Sequence, residues 1–315
     1  MRKLPRCNYP LAADNMHDLQ PLPAKLPVMA MDAAKPYRST KYKAVVIDSF
    51  NHPKVLQLAR VIANSFAINE PMARHIQPSK IPPATLHDVK HIDPFGEDYF
   101  GEWTKENIIY WVIRLFILTD PGRPLRNIEI NEHLLTHTLA MLNDAGEIIG
   151  GAFNMPAFLA DVEQSLRTDD PFMDAAYSFF QRIHYLLISQ ESVALNYLSH
   201  SYTDFKTALE TGKVGILFMI ARSPLLPTED TFELVAASLE RFRELGYEYV
   251  VTAAANQWTG AAFELPGAVR VHYAPYRLEK QVGESEEGLW DVTWSKDGYL
   301  SDKDSGCMFY VIRIK

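Results

Sequence analysis

Two short segments of this sequence hold side chains that could move protons. Glu70 lies in INEPMAR, where we predict a helix start near a bend in the chain. His272, Tyr273 and Tyr276 lie in AVRVHYAPY, whose alternation predicts a half-buried strand. Carboxylate and imidazole groups can accept protons, and phenols can donate them. Each has a structural alternative: a helix-start carboxylate, a hydrogen-bonded strand histidine, or coincidence among fifteen tyrosines.

A second candidate site is the strand-to-helix junction in IARSPLLPTEDTFELVAA, residues 220–237. Such junctions bind phosphate when glycines let backbone N–H groups reach the anion. This junction has two prolines and no glycine. Pro227 has no N–H to offer, and Thr228 can cap the helix itself. Glu229 and Asp230 would repel an anion, so we expect no ordinary phosphate site here.

A metal site is the hypothesis for HDVKH, which places His87 and His91 four residues apart. On a helix, this spacing would put both imidazoles on one face, where they could bind a metal. The surrounding sequence is rich in proline and marks no third ligand. We therefore interpret the segment as a loop and expect no metal.

The composition excludes several classes of partner. A net charge of −8 and a pI near 5.7 argue against nucleic acid as a partner. The most apolar run, IIYWVIRLFIL at 108–118, contains an arginine and is too short to cross a bilayer, so we expect no membrane span. Cys7 and Cys307 are too few for a disulfide framework and are expected to be inert. No secretory signal is visible at the N-terminus, and we expect a cytoplasmic protein.

The elements that must position these residues follow from hydrophobic periodicity. Residues 1–40 are rich in proline and predict an irregular arm, either lying over the domain or disordered, and residues 41–315 predict a single domain. We predict strands at 42–50, 214–221, 247–255, 268–276 and 307–315, a hairpin at 137–156, and helices at 51–67, 104–120, 174–190, 191–213, 230–246 and 258–265. Strand, helix and strand in succession predict that 214–221 and 247–255 are parallel.

This order of elements resembles that of the GNAT acyltransferase superfamily. The likeness covers residues 42–315, with extra helices inserted near 104–120 and 157–213, and its best local match is 237–276. It implies an α/β fold: a mixed, mostly antiparallel twisted sheet with one splayed central pair of parallel strands, flanked by helices. It also implies an acetyl-CoA or other acyl-CoA donor in the gap between those two strands.

The resemblance also supplies candidate binding residues. In the family, the donor's pantetheine arm pairs with the strand that matches 214–221, and an asparagine matching Asn256 often contacts that arm. The segment that includes Glu70 often lines the acceptor pocket. The cofactor-binding candidates are therefore Phe218, Met219, Ile220, Ala221, Arg222, Ser223, Thr228 and Asn256.

The sequence departs from the family at two places. The glycine-rich pyrophosphate loop maps to residues 226–231, which have none of its characteristic residues. Arg222 and Lys213 would offset the acidic residues there if they pointed inward. The tyrosine that often protonates the leaving thiolate is replaced by Phe263, so Tyr273 or Tyr276 would have to supply that acid.

Three hypotheses remain open at this point. The first is an N-acyltransferase that moves an acyl group from a thioester, carried by CoA or by an acyl carrier protein, to a small-molecule or peptide amine. The second is a non-catalytic module with this fold that binds a ligand or another protein. The third is decarboxylation or hydrolysis of a thioester in the same gap.

Overall fold

A computed structural model describes residues 19–30, 42–47, 52–70, 73, 104–107, 109–110, 113, 136–157, 191, 193–223, 226, 230–255, 257–264, 267–275 and 306–315. The elements in chain order are β1 (Lys43–Val46), α1 (His52–Asn69), β2 (Leu139–Leu142), β3 (Ile148–Pro156), α2 (Thr203–Glu210), β4 (Val214–Arg222), α3 (Asp230–Glu244), β5 (Tyr249–Ala254), α4 (Gln257–Ala262), β6 (Ala268–Pro275) and β7 (Gly306–Arg313). Residues 105–107 and 193–201 are also helical.

The seven strands form one sheet in the order β1-β2-β3-β4-β5-β7-β6. β4 and β5 are parallel, and the other neighbouring pairs in this sheet are antiparallel. α3 provides the crossover between the two parallel strands. The predicted fold class, a mostly antiparallel mixed sheet with one parallel pair and flanking helices, is confirmed.

The two faces of the sheet bury two separate cores, because successive strand residues point to opposite sides. On β5, Tyr249 and Val251 face the core that contains α1, and Val250 and Ala254 face the core that contains α3 and α4. We call these faces the α1 side and the α3 side. The helical stretch 193–201 packs on the α1 side through Ala194 and Leu198.

The β2–β3 hairpin forms as predicted, and its turn chemistry explains why. Asn143 Oδ1 accepts hydrogen bonds from the N–H groups of Ala145 at 3.0 Å and Glu147 at 2.9 Å. Gly146 adopts φ +77°, a left-handed conformation that glycine reaches without strain. The predicted turn residues therefore reverse the chain through side chain-to-backbone bonds.

Residues 19–30 contact both cores. Gln20 N–H donates to Val271 O at 2.9 Å on the outer strand β6, and Met29 N–H donates to Arg313 O at 2.8 Å at the end of β7. Leu26 is buried in the α1-side core, and Met29 is buried in the α3-side core. This part of the predicted arm therefore lies against the sheet and partly covers its exposed edge, which would otherwise offer unpaired backbone groups.

Parts of the predicted insertions lie outside the described residues, as do the segments 158–190 and 276–305 and the histidine pair at 87 and 91. Within the described residues, no helix is long and apolar enough to cross a membrane.

Candidate functional site

The parallel strands β4 and β5 separate halfway along β4. Their register pairs Val214–Leu217 with Tyr249–Thr252 and goes no further. Beyond Leu217, β4 continues to Arg222 beside β3, and β5 continues to Ala254 beside β7. A gap therefore opens between the two central strands, as the resemblance implied.

A bulge in β4 explains why the strands part at that point. Phe153 and Asn154 are successive residues of β3, and they pair with Met219 and Leu217 of β4. β4 therefore has one extra residue, Phe218, between these two pairs. A bulge of this kind bends its strand and increases the local twist. At the same point, Thr252 Oγ1 donates to Leu217 O at 3.0 Å, which satisfies a carbonyl where β-pairing ends.

The sequence-predicted binding residues on β4 all lie beyond this branch point. Met219 and Ala221 are buried, whereas Phe218, Ile220 and Arg222 are partly exposed, as is Ser223 after the strand. No residue of this segment pairs with β5 in the described part of the sheet. The segment therefore presents strand backbone toward the gap.

The cations near the junction are already engaged. Arg222 Nη1 donates to Ser223 O at 3.1 Å and also to Leu226 O, so this guanidinium holds the start of the loop. Lys213 forms an ion pair with Glu248 at 2.7 Å, at the end of β4 opposite to the loop. Lys213 therefore does not offset acidic charge at the junction. The binding candidate Thr228 lies outside the described residues.

Glu70 is buried directly after α1, and Ala73 N–H donates to its carbonyl at 3.0 Å, so a helical turn begins there. α1 runs from His52 to Asn69, and Glu70 N–H donates to Phe66 O at 2.9 Å. Ala67 and Ala73, three residues before and after it, are buried in the α1-side core. Because residues three apart on a helix share a face, Glu70 occupies a core-facing position.

His272 and Tyr273 point to opposite sides of the sheet. His272 is 1% exposed and pairs with Phe309, which belongs to the α1-side core. Tyr273 is partly exposed and pairs with Met308, which packs against the α3-side core. The structure thus places His272 on the same side as Glu70, with Tyr273 on the other side. Tyr276 lies outside the described residues, as does Asn256.

Two further groups lie on the α1 side: Cys307, which was expected to be an inert thiol, and Glu191, which the sequence analysis did not name. Burial first, and then the charges of Glu70 and Glu191, raise the pKa of the Cys307 thiol to about 12, so both carboxyl groups act on this thiol. Burial also raises the pKa of Glu191 to about 7. We call Glu70, Glu191 and Cys307 the carboxyl–thiol cluster.

The carboxyl–thiol cluster lies at the open end of the gap. Cys307 precedes Met308, which pairs with Ala254, the last residue of β5. Cys307 itself pairs with Ala274, so it is a diagonal neighbour of His272 on the same side of the sheet. Two carboxyl groups, an imidazole and a protonated thiol therefore share one side of the sheet where β4 and β5 diverge. Among the described residues, no three His, Cys, Asp or Glu side chains are arranged so that they could hold a metal ion.

Comparison with solved structures identifies the architecture. Arylalkylamine N-acetyltransferase 2 from Aedes aegypti superposes with a TM-score of 0.50 at 13% sequence identity, covering 87% of this chain and 99% of that chain. A Drosophila melanogaster polyamine N-acetyltransferase, which catalyses formation of N-acetylagmatine, superposes with a TM-score of 0.50 at 12% identity, covering 86% and 99%. The protein has the GNAT fold.

At the level of sequence the protein is distant from characterised proteins. No family model matches the sequence. No curated protein matches it either. The GNAT fold is therefore established by topology: the antiparallel meander, the bulged β4, the parallel β5 and the gap between them.

Proposed function

We propose that this protein is an N-acyltransferase that moves an acyl group from a thioester donor to an amine. The observation that carries the proposal is the separation of β4 and β5 after Leu217 and Thr252, in a chain with the GNAT fold. Beyond this point, β4 continues as Phe218–Arg222 beside β3 and is no longer in register with β5, so its other edge faces the gap. An extended pantetheine arm has amide groups that can pair with such an edge, as an added strand does.

The chain supplies the parts that acyl transfer needs. A backbone N–H of the β4 segment can polarise the thioester carbonyl without any particular side chain. Glu70 is the candidate base, with His272 as the second candidate on the same side of the sheet. The proton leaves the amine nitrogen for the base as the C–N bond forms and the C–S bond breaks, and the thiolate takes up a proton from an acid. Tyr276 remains our candidate for that acid. Tyr273 points to the other side of the sheet, so it would have to act from there.

The donor is acyl-CoA or an acyl carrier protein. The pantetheine portion fits the strand edge at 218–222, with Asn256 and Thr228 as further candidate contacts. Arg222 Nη1 donates to two loop carbonyls, which leaves fewer of its N–H groups to bind a diphosphate. We therefore expect most of the donor affinity to come from pantetheine and the acyl chain.

For the acceptor we propose a small-molecule amine or a peptide amine. We also propose that the enzyme is cytoplasmic and that residues 41–315 form a single domain.

Calorimetry with CoA, acetyl-CoA, a long-chain acyl-CoA and the matching acyl-pantetheine tests the proposal. We expect acyl-pantetheine to bind within about tenfold of acyl-CoA, because the diphosphate adds little. Binding that is lost when the nucleotide is removed would show an ordinary diphosphate site instead. If none of the four compounds binds, the protein is not a thioester enzyme, and the alternative of a ligand-binding or protein-interaction module is favoured.

Turnover separates transfer from the other thioester reactions. Thiol release from the bound thioester is measured with and without a panel of amines, and the acylated product is identified by mass spectrometry. Glu70→Gln should lower kcat by about 10²–10⁴-fold with the donor affinity unchanged, since it removes a proton acceptor. Glu264→Gln is the matched control, because Glu264 is an exposed carboxylate. Thiol release that does not depend on any amine would indicate hydrolysis.

A further inference from the structure

The bulge in β4 changes which side of the sheet the following residues face. Along a regular strand, successive side chains point to opposite sides. Ile216 and Leu217 follow this rule, since they belong to the α1-side and the α3-side cores respectively. Phe218 and Met219 break it, because both pack on the α1-side core. The extra residue therefore places two large side chains in succession on one side, at the point where β4 leaves β5.

Ala253 occupies the corresponding position on the other side of the gap. The last register pair joins Leu217 to Thr252, so Phe218 and Ala253 are the first residues of the two strands beyond the paired region. Ala253 also packs against the α1-side core. A large aromatic ring on β4 and a single methyl group on β5 therefore flank the gap on the same side of the sheet.

Phe218 and Ala253 are also accessible at a point where the strands are otherwise closed. Both residues are partly exposed. Their neighbours along the two strands are all buried: Leu217, Met219, Thr252 and Ala254. At the branch point, the accessible surface of β4 and β5 therefore belongs to this pair, on the side of the sheet that also holds Glu70.

A second aromatic ring closes the space beside Ala253. Phe309 of β7 pairs with Ala253, is 1% exposed and belongs to the α1-side core. Residues directly opposite each other in neighbouring strands lie side by side on one face of the sheet. A group bound next to Ala253 is therefore limited by Phe309 toward β7 and by Phe218 toward β4.

We propose that Phe218 is a specificity-determining residue that restricts the donor to short acyl groups such as acetyl or propionyl. This inference rests on the proposed thioester donor. With pantetheine along β4 beyond the branch point and a β4 N–H on the thioester carbonyl, the acyl group lies beside Phe218 and Ala253. Paired strands lie about 4.8 Å apart, and β4 and β5 have only begun to separate here. The ring of Phe218 therefore occupies the space that a longer chain needs.

The test is calorimetry of the full-length protein with acetyl-, butyryl- and octanoyl-CoA, which differ only in the acyl group. The wild type should bind acetyl-CoA at least about tenfold more tightly than octanoyl-CoA, because a closed pocket rejects added methylene groups. In Phe218→Ala, the affinity for octanoyl-CoA should rise by about tenfold or more, since burying two further CH₂ groups contributes roughly that factor. The affinity for acetyl-CoA should not rise, so the preference for the short chain is reduced or reversed.

A second variant tests the same pocket from the opposite strand. Ala253→Val adds two methyl groups and keeps a residue that favours a strand, so it should weaken butyryl-CoA more than acetyl-CoA. It decides the proposal if Phe218→Ala fails to fold. Leu142→Ala is the control, because Leu142 is a partly exposed residue on the same core that β3 and β4 separate from the gap. Its order of affinities should match that of the wild type.

The outcomes separate this inference from the proposed function. A wild type that binds octanoyl-CoA as tightly as acetyl-CoA would overturn the role of Phe218. So would a Phe218→Ala variant that keeps the wild-type ratio of the two affinities. In both cases the protein still binds thioesters, and the proposed function stands. If the wild type binds none of the three compounds, the proposed function fails, and the role of Phe218 fails with it.

Discussion

Buried polar groups lie on both sides of the sheet, but the two sides satisfy them to different extents. On the α3 side, His137 Nε2 lies 2.8 Å from the hydroxyl of Tyr247, and Asn154 Nδ2 donates at 3.0 Å to both His137 O and Ser238 Oγ. We call these four residues the imidazole–amide cluster. On the α1 side, the carboxyl–thiol cluster contains a carboxyl oxygen, Glu191 Oε1, that is buried without a hydrogen bond among the described residues.

This difference distinguishes two roles of buried polar residues: some hold elements of the fold together, and others provide ionisable groups at a functional site. The imidazole–amide cluster ties the β2–β3 hairpin to α3 and to the loop before β5. Such bonds contribute about 0.5–1.5 kcal/mol each. The carboxyl–thiol cluster lies at the open end of the gap, where ionisable groups with shifted pKa values are typical of functional sites. We therefore expect opposite signs when the two clusters are mutated.

The largest effect is expected for Glu191→Gln above neutral pH. The folded-state pKa of Glu191 is raised from 4.5 to about 7, so its contribution to stability is complete below pH 4.5 and is lost as the pH rises through 7. The wild type should lose about 3 kcal/mol of unfolding free energy from this group across that window, and the variant should not. Urea unfolding at pH 5 and pH 8.5 measures both proteins. An equal pH dependence in the two would mean that Glu191 is stabilised by contacts that offset its burial.

Asn154→Ala tests the opposite sign on the α3 side. It removes both bonds donated by the amide, to His137 O and Ser238 Oγ, and should cost about 2 kcal/mol at any pH between 6 and 8. The amide oxygen of Asn154 is itself buried without a partner among the described residues, so losing it recovers part of the cost. Ser238→Ala removes one of the two bonds and should cost about half as much. Thermal or urea unfolding of the two variants checks this order, and a stabilising Asn154→Ala would remove the distinction between the clusters.

Tyr247→Phe should have a smaller effect, about 1 kcal/mol at pH 7, because it removes one hydrogen bond and leaves the ring. The ring still packs edge-on against His137 and Phe242. Burial raises the pKa of Tyr247 from 10 to about 12, so the wild type should lose stability as the pH rises from 10 through 12. The variant lacks this group and should lose less over that range. Unfolding curves at pH 9, 10.5 and 12 would show the difference, and identical alkaline losses would contradict it.

Much of the fold could be predicted from the sequence because its signals are local. The hairpin at 137–156 has its own turn residues, and β4, α3 and β5 alternate with clear periodicity. The branch point could not be predicted, because the bulge at Phe218 depends on the register between β3 and β4. That register is set by packing across the sheet rather than by any motif.

The candidate site was only partly predictable for the same reason. Glu70 and His272 were identified, and the opposite orientations of His272 and Tyr273 follow from strand alternation. Which side each of them faces depends on a register shift between Arg270 and His272, which the sequence does not show. Glu191 had a usable signal, a carboxylate on the stripe of Ala194 and Leu198. Cys307 had none, since its neighbours come from elements far apart in the sequence.

The smallest effect is expected at the branch point, where Thr252→Val removes the hydroxyl that donates to Leu217 O. Valine keeps the branched shape and favours the strand, so the loss should stay below about 1 kcal/mol. The carbonyl of Leu217 lies where the β4–β5 register ends, and water entering the gap can replace the lost bond. A carbonyl sealed in the core has no such replacement, so a loss of 2 kcal/mol or more would show that the gap is closed at this point. Urea unfolding measures the loss of stability in Thr252→Val and in the control Ser238→Ala, which also removes one buried hydroxyl. A smaller loss in Thr252→Val would show that water reaches the Leu217 carbonyl, so that the gap is open as far as the branch point.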